Sequence, residues 1–350
     1  MSTLTTAPKP GKPWVATPKQ RLITAAIYLA AALVSFLLVA VTPMKGKLAY
    51  FVVFFFASVI IDFGLTFAQR GVAAAKDAVA RGFVTVGMTL AVLPIFSILF
   101  EVAKRGYKGL HFSLFTTDMS VTSVNDPIAN GGLIHAITGT IIMVTMALIV
   151  AMPIGILTAI YLTEIRGKFA APIKFLVQAM SGVPSIVAGL FILSAYVYPI
   201  TGSLSGFAGS LALMILMIPT IARTSEEVLL LIPGDLREAG VALGGTQWRT
   251  VALVVVPAAK SGLVTALILG IARVAGETAP LVLLSGGGEA VNLNPFSGPM
   301  GSLPMYIWKC FGQGTEESIA RAWSGILVLL VIVLALFTMA RYLSERKVKK

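Results

Sequence analysis

The sequence predicts an all-α polytopic membrane bundle, and three observations carry that reading. Of 350 residues, 57% are hydrophobic and only 12% charged, with a mean hydropathy of +0.90; a soluble domain is about one quarter charged. Eight apolar stretches approach or exceed the ~20 residues that cross a hydrocarbon core. The basic residues fall mainly on one side of those stretches, the charge pattern that orients spans. The single cysteine, Cys310, excludes an intramolecular disulfide and any cysteine-based metal cluster. His111 and His135 lie far apart in sequence and do not suggest a ligand pair.

Residues 1–20 are rich in Thr, Pro and Lys without periodicity and read as a disordered cytoplasmic tail. The run Leu22–Val41 is too long for a signal peptide and leads to no small-residue cleavage site, so it reads as a first span. Leu48–Ala68 and Gly82–Phe100 follow, the second span holding Asp62 and the third Pro94. An ionisable group at membrane depth must face protein or water, which makes Asp62 a packing or lumen-facing carboxylate. Glu101–Asn130 is a mixed polar loop. Five more stretches run over Leu133–Leu162, Pro172–Ile200, Phe207–Ala222, Val251–Leu284 and Ile319–Met339. Pro153, Pro184, Pro219 and Pro280 interrupt four of them, as neighbouring helices allow. Ser285–Gly314 reads as a Gly-, Ser- and Pro-rich loop.

With the N-terminus inside, nineteen of the 27 Lys and Arg residues lie on the cytoplasmic side and six opposite, leaving Arg273 and Arg321 within or at spans. Both termini are then cytoplasmic. The formal charge of +12 follows from this asymmetry and calls for no nucleic acid.

The one long polar interruption with helical character is 233–257, PGDLREAGVALGGTQWRTVALVVVP, which the charge bias places in the cytoplasm. Asp235, with Glu238 three residues on, suggests a capped helix start. Leu236, Ala239, Gly240 and Leu243 recur at helical spacing on one face. Gly244 and Gly245 end that helix, and Thr246 can cap a second short one carrying Trp248 and Arg249. A helix, a glycine hinge and another helix between two spans suit docking into a soluble partner's groove; an ordinary surface helix is the plainer reading.

No G-x-x-x-x-G-K-[ST], nucleophile elbow or H-E-x-x-H occurs, so no catalytic or nucleotide site is expected in this chain. Two polar clusters reach membrane depth. Arg273 and Glu277 stand at i, i+4 on one face of an apolar helix, where each can partly offset the other's burial. Arg223 stands at the cytoplasmic end of another span. Each admits a structural reading, as a self-satisfied pair and a positive-inside anchor, beside a reading as an anion path.

The spacing of Glu238-Ala239, Gly244 and Pro257 resembles the EAA loop of ABC importer permeases, with Val254 and Val256 at its usual Ile and Leu positions and Gly240 where Ala is usual. Four further stretches resemble the permease subunit of phosphate-specific ABC importers, the PstA type. They are GGLIHAITGT (131–140), SGVPSIVAGLF (181–191), IPTIARTSEEVLLLIPGDLREA (218–239) and IARVAGETAPL (271–281). The resemblance implies a type I importer core of six helices over 81–350, preceded by two accessory helices over 21–80 that shorter family members lack. It implies a heterodimer with a second, homologous permease, an ATPase subunit dimer that binds ATP and Mg, an extracytoplasmic phosphate-binding protein, and a multi-pass place in a prokaryotic plasma membrane. It implies that Asp235, Leu236, Glu238, Ala239, Leu243, Gly244 and Trp248 meet the ATPase, and that Arg223, Arg273 and Glu277 line the substrate path by which phosphate moves in alternating access. Importers of another oxyanion or solute, and a stand-alone secondary carrier, are the rival readings. The AGETAPL segment opposes the first; the coupling loop and the lack of an evident internal repeat oppose the second.

Overall fold

The computed structural model describes residues 18–42 and 46–346, all of them in helices, turns and loops apart from one isolated bridge between Gly286 and Met300. Most of the expected 1–20 tail lies outside the described residues, and 18–20 already form the first turn of α1 (Pro18–Val41). The chain divides into two compact units, Met1–Leu99 and Phe100–Lys350.

In the first unit, α1 runs beside the start of α2 (Lys47–Gly106). The Ser35 hydroxyl donates to the Tyr50 carbonyl at 2.8 Å, and the Tyr28 and Phe54 rings lie 6.2 Å apart. The two spans expected over 48–68 and 82–100 are joined, because the polar stretch between them is helical too. A straight 60-residue helix would be about 90 Å long, three times the ~30 Å hydrocarbon core. The run is instead broken at Gly71, whose φ of 83° and ψ of −177° suit glycine alone. Its two arms come back together: Arg81 reaches Asp62 at 3.3 Å, and the Phe55 and Phe83 rings meet edge-on at 5.3 Å. A Cβ on Gly82 would lie 2.8 Å from Val59 Cγ2. Asp62, which also accepts from Thr66, thus faces protein as expected. The 80/81 boundary read from sequence and the 99/100 division both fall in the second arm.

In the second unit, α3 (Ile134–Ile160) packs lengthwise on α6 (Gly206–Leu230), and α9 (Val256–Ala275) packs against both. Small residues permit the approach, as is usual where lipid tails leave no hydrophobic drive between helices. Added Cβ atoms at Gly155 and Gly270 would lie 2.7 and 2.8 Å from the Ile221 side chain. Met143, Ala147, Ala151, Leu213, Met217, Ile221 and Val274 form the buried centre.

Two expected single spans are interrupted. The stretch Pro172–Ile200 is α4 (Ala170–Ser181) and α5 (Ser185–Ile192), meeting at 103° where Pro184 caps the second helix. The stretch Val251–Leu284 stops at Ala275 and resumes as α10 (Ala279–Leu284). Six helices among the described residues are long and apolar enough to cross a membrane, or seven if α4–α5 is one span. The eight stretches of the sequence differ from that count in dividing α2, and each arm of α2 exceeds the ~20 residues that a span needs.

The loop expected over 285–314 contains a helix, α11 (Leu303–Gln313), which Ser302 caps by accepting from the Met305 amide. After α12 (Glu316–Arg346) starts, Arg321 is 2% exposed. Its guanidinium donates to the carbonyls of Ser123, Val124, Asp126, Pro127 and Asn130, so carbonyl dipoles rather than a carboxylate compensate the buried charge and fix the 107–132 segment. Opposite, the Asp118 carboxylate accepts from the Ser120 hydroxyl and the Ser120 and Val291 amides. Those bonds, the Ser120 hydroxyl foremost, hold it below the usual carboxylate range.

Candidate functional site

Two places join the residues that the sequence singles out. The first is the loop after α6, which folds as α7 (Gly234–Ala242) and α8 (Gln247–Thr250). The helix begins two residues earlier than a cap at Asp235 would place it. Pro233 occupies the cap position and no side chain caps it, so the expected Asp235–Glu238 capping does not form. Asp235 lies in the first turn, where its charge still favours the helix dipole. The far end is as expected. Gly244 is left-handed (φ 81°), the Gly244 amide donates to Val241 and the Gly245 amide to Gly240, closing the carbonyls of the last turn. Thr246 then caps α8 through the Arg249 amide.

Gly240 has a packing reason. A Cβ there would lie 2.5 Å from Thr250 Cγ2, so α7 can lie this close to α8 only without a side chain at 240. The rest of the expected apolar face is not covered by this chain. Leu236, Ala239 and Leu243 are exposed, as are Val241 and Trp248, and Leu243 is 90% accessible. A rigid knob with clustered bare apolar side chains is the form of an interaction site. Glu238 is exposed beside them.

What holds the knob to the membrane helices is a residue pair that the sequence reading missed. Glu164 lies in the π-helical turn Tyr161–Ile165 that extends α3, and its side chain is 6% exposed. Arg237 of α7 donates to it through Nε (3.0 and 3.1 Å) and Nη2 (2.8 Å). The same guanidinium reaches the carbonyls of Leu229 (2.9 Å) and Ile232 (2.6 Å) at the end of α6. The carboxylate raises the Arg237 pKa above its ordinary value, keeping the guanidinium firmly charged. The Gln247 amide of α8 donates to the Glu164 carbonyl. One acidic residue thus ties both short helices to α3. Its signal in the sequence was a lone carboxylate at a span's end among Arg166 and Lys168.

The second place is a cavity of about 200 Å³ where α4, α6 and α9 meet. Arg223 and Arg273, fifty residues apart, both line it, with Ser181, Thr220 and Thr224. Those hydroxyls donate to carbonyls one turn back on their own helices, which leaves the two guanidinium groups as its free donors. Among the described residues no carboxylate lines it. Both arginines are exposed in the isolated chain, and the Arg223–Glu227 approach of 4.0 Å between largely exposed side chains is weak.

Glu277 does not join them as the sequence suggests. Arg273 is in the last turn of α9, Gly276 has left the helix (φ −99°, ψ 2°), and Glu277 lies in the break before α10. The i, i+4 face therefore does not exist, and no ion pair links the two among the described residues. Glycine is a poor helix residue, and Pro280, at the start of α10, supplies no amide to continue the ladder of α9. Together they overturn the continuous helix that hydropathy implied.

The cavity and the knob both lie within residues 151–349, which match the model of the family described as "Binding-protein-dependent transport system inner membrane component". The chain belongs to that family. Among relatives of this inner membrane component is "Phosphate transport system permease protein PstA 1" of Mycobacterium tuberculosis, strain H37Rv. It is 36% identical over 276 residues, 78% of this chain and 89% of the relative. "Phosphate transport system permease protein PstA" of Mycobacterium leprae is 37% identical over 277 residues, 78% of this chain and 90% of the relative. The Haemophilus influenzae protein of the same name is 35% identical over 252 residues, 71% and 87% of the two chains. A solved chain of the inward-facing MetNI methionine ABC transporter aligns with 62% of this chain and 94% of its own length, at 22% identity and a TM-score of 0.48. As a family member the chain is thus a multi-pass membrane transport component.

Proposed function

We propose that the chain is the membrane-spanning permease subunit of an ATP-driven importer of inorganic phosphate. The observation that carries this is the cavity with two guanidinium groups and no carboxylate, in a chain whose relatives bear phosphate permease names. A phosphate dianion loses much hydration on entering a low-dielectric path, and the planar guanidinium fork can pair with two of its oxygens at once. The chain supplies the path and no catalytic site. ATP and Mg belong to an ATPase dimer that grips α7 and α8 through the bare surface of Leu236, Ala239, Leu243 and Trp248. A homologous permease completes the path as a heterodimer, and an extracytoplasmic binding protein delivers phosphate to it. The permease core begins near residue 81, after two accessory helices.

Proteoliposomes holding the purified complex should take up labelled phosphate only with ATP inside and the cognate binding protein outside. Excess unlabelled sulfate should not compete. Uptake that needs no ATPase subunit, or that sulfate abolishes, would refute this function.

Both termini and the α7–α8 knob are placed in the cytoplasm, on the nineteen-to-six distribution of basic residues. In a Cys310→Ser background, Lys104→Cys should react with an impermeant maleimide from outside, and Gln247→Cys only after the membrane is opened. Labelling of both from one side would overturn the orientation.

A further inference from the structure

The first unit holds a polar cavity of about 410 Å³ between the start of α1 and the two arms of α2, within the range of small-molecule sites, roughly 300–1,000 Å³. Its charged lining is Asp62, Arg70 and Arg81. Asp62 is already compensated, by Arg81 at 3.3 Å and by the Thr66 hydroxyl at 3.2 Å. Arg70 makes no hydrogen bond or ion pair among the described residues, and Gln69 beside it has a free amide. The cavity therefore carries a surplus positive charge. Ile23, Ile27 and Val59 add apolar lining among the polar side chains of Thr24, Tyr28 and Ser58, and the surrounding helix faces expose Leu22, Phe63 and Phe67. It lies at the end of the unit that bears Arg21, Arg70, Lys76 and Arg81, the end that faces the cytoplasm in a bilayer.

We infer that this cavity takes the phosphate of an anionic phospholipid headgroup from the cytoplasmic leaflet, with Arg70 as its main cation and Gln69 as a further donor. Arg81 contributes from its place beside Asp62, and the acyl chains follow the apolar faces of α1 and α2. A free phosphate ion would satisfy the same cations but would leave the apolar lining residues and the exposed apolar faces beside them unused. An amphiphile uses both, and basic pockets between spans at this leaflet are suited to acidic headgroups. The site is separate from the Arg223–Arg273 cavity and stands whatever solute crosses there. It gives the accessory helices a task, the recognition of acidic lipid.

The test uses the purified full chain in mixed micelles with equal phosphatidylglycerol and phosphatidylcholine, the lipids retained being counted by native mass spectrometry. The wild-type chain should favour phosphatidylglycerol about fivefold, and millimolar inorganic phosphate should not displace it. Arg70→Gln should bring the two lipids close to parity, while Arg70→Lys should keep most of the preference. Gln69→Glu, which sets a carboxylate beside Arg70 at an exposed position, should also lose it. A wild-type chain without preference overturns the inference, as does an unchanged preference in both Arg70→Gln and Gln69→Glu. Displacement by inorganic phosphate assigns the cavity to the free ion and overturns the lipid as its occupant.

Discussion

Arg237→Gln should leave the chain inserted in the membrane but lower ATP-driven uptake more than tenfold. The guanidinium makes five hydrogen bonds, three to the Glu164 carboxylate and two to carbonyls at the end of α6. Breaking a buried pair by removing one partner costs about 3–5 kcal/mol, because the other charge is left uncompensated. Glu164 is that charge, 6% exposed, while Arg237 keeps 28% exposure, so the lower end of the range applies. Nothing in α7 is buried; without this pair little holds it against α3 and α6. The helix would still form, but force applied to it by an ATPase would no longer reach α3 in register. Insertion should be unaffected, since the pair lies at the edge of the spans.

The two partners should not be equivalent. Glu164→Gln keeps an acceptor oxygen and leaves Arg237 bonded to Leu229 and Ile232, so its effect should be several-fold smaller than that of Arg237→Gln. The double variant should do no more harm than Arg237→Gln alone, because the stranded carboxylate has gone. Uptake and uptake-linked ATP hydrolysis in the reconstituted complex measure all three. Additive losses in the double variant would show that the residues act separately and that the tether is not what transmits coupling.

The legible part of this molecule is what local pattern encodes. Runs of apolar residues gave the membrane helices, and paired glycines with a following threonine gave the hinge of α7–α8. What escaped depends on contacts far apart in sequence or on local breaks that hydropathy averages away. Glu164 and Arg237 are 73 residues apart, and neither resembles more than a surface charge by itself. Arg321 looked like a stray cation because its partners are carbonyls, which carry no side-chain signature. The fold-back at Gly71 has no signature in hydropathy, which only ends one span at Ala68 and starts the next at Gly82, yet the polar residues between them are helical on both sides of the break. Helix α11 was hidden in a segment rich in Gly and Pro, although Ser302 before Leu303-Pro304 was an available start signal. At 276–278 the error ran the other way. Apolar residues on both sides suggest one helix, yet Gly276 and Pro280 together break it.

That last correction sharpens what Arg273 is for. Had it paired with Glu277 on one helix face, stability alone could have accounted for both charges. With the helix ended at Ala275, Arg273 projects from the last turn of α9 into the cavity that Arg223 also lines; among the described residues no carboxylate pairs with Arg273, and Arg223 has only the weak, exposed approach of Glu227 at 4.0 Å. An unpaired arginine near membrane depth costs ~2.5–3.5 kcal/mol on insertion scales. A C-terminal helix position returns only ~0.3–1 kcal/mol of that through the dipole. The remainder is a persistent cost that an anion in transit would offset. Arg273→Gln should therefore lower phosphate uptake by about 10- to 150-fold, the worth of a charge-assisted hydrogen bond of ~1.5–3 kcal/mol, while the complex assembles and hydrolyses ATP. Arg273→Lys should recover only part of the rate, since it restores the charge without the two-pronged fork. Arg223→Gln should show the same pattern. Glu277→Gln should cost less than either, because Glu277 does not line the cavity. Uptake by labelled phosphate, beside thermal stability of each purified variant, separates a path from a scaffold. If Arg273→Gln transports at the wild-type rate and melts higher than the wild type, its charge is a structural burden and the path lies elsewhere.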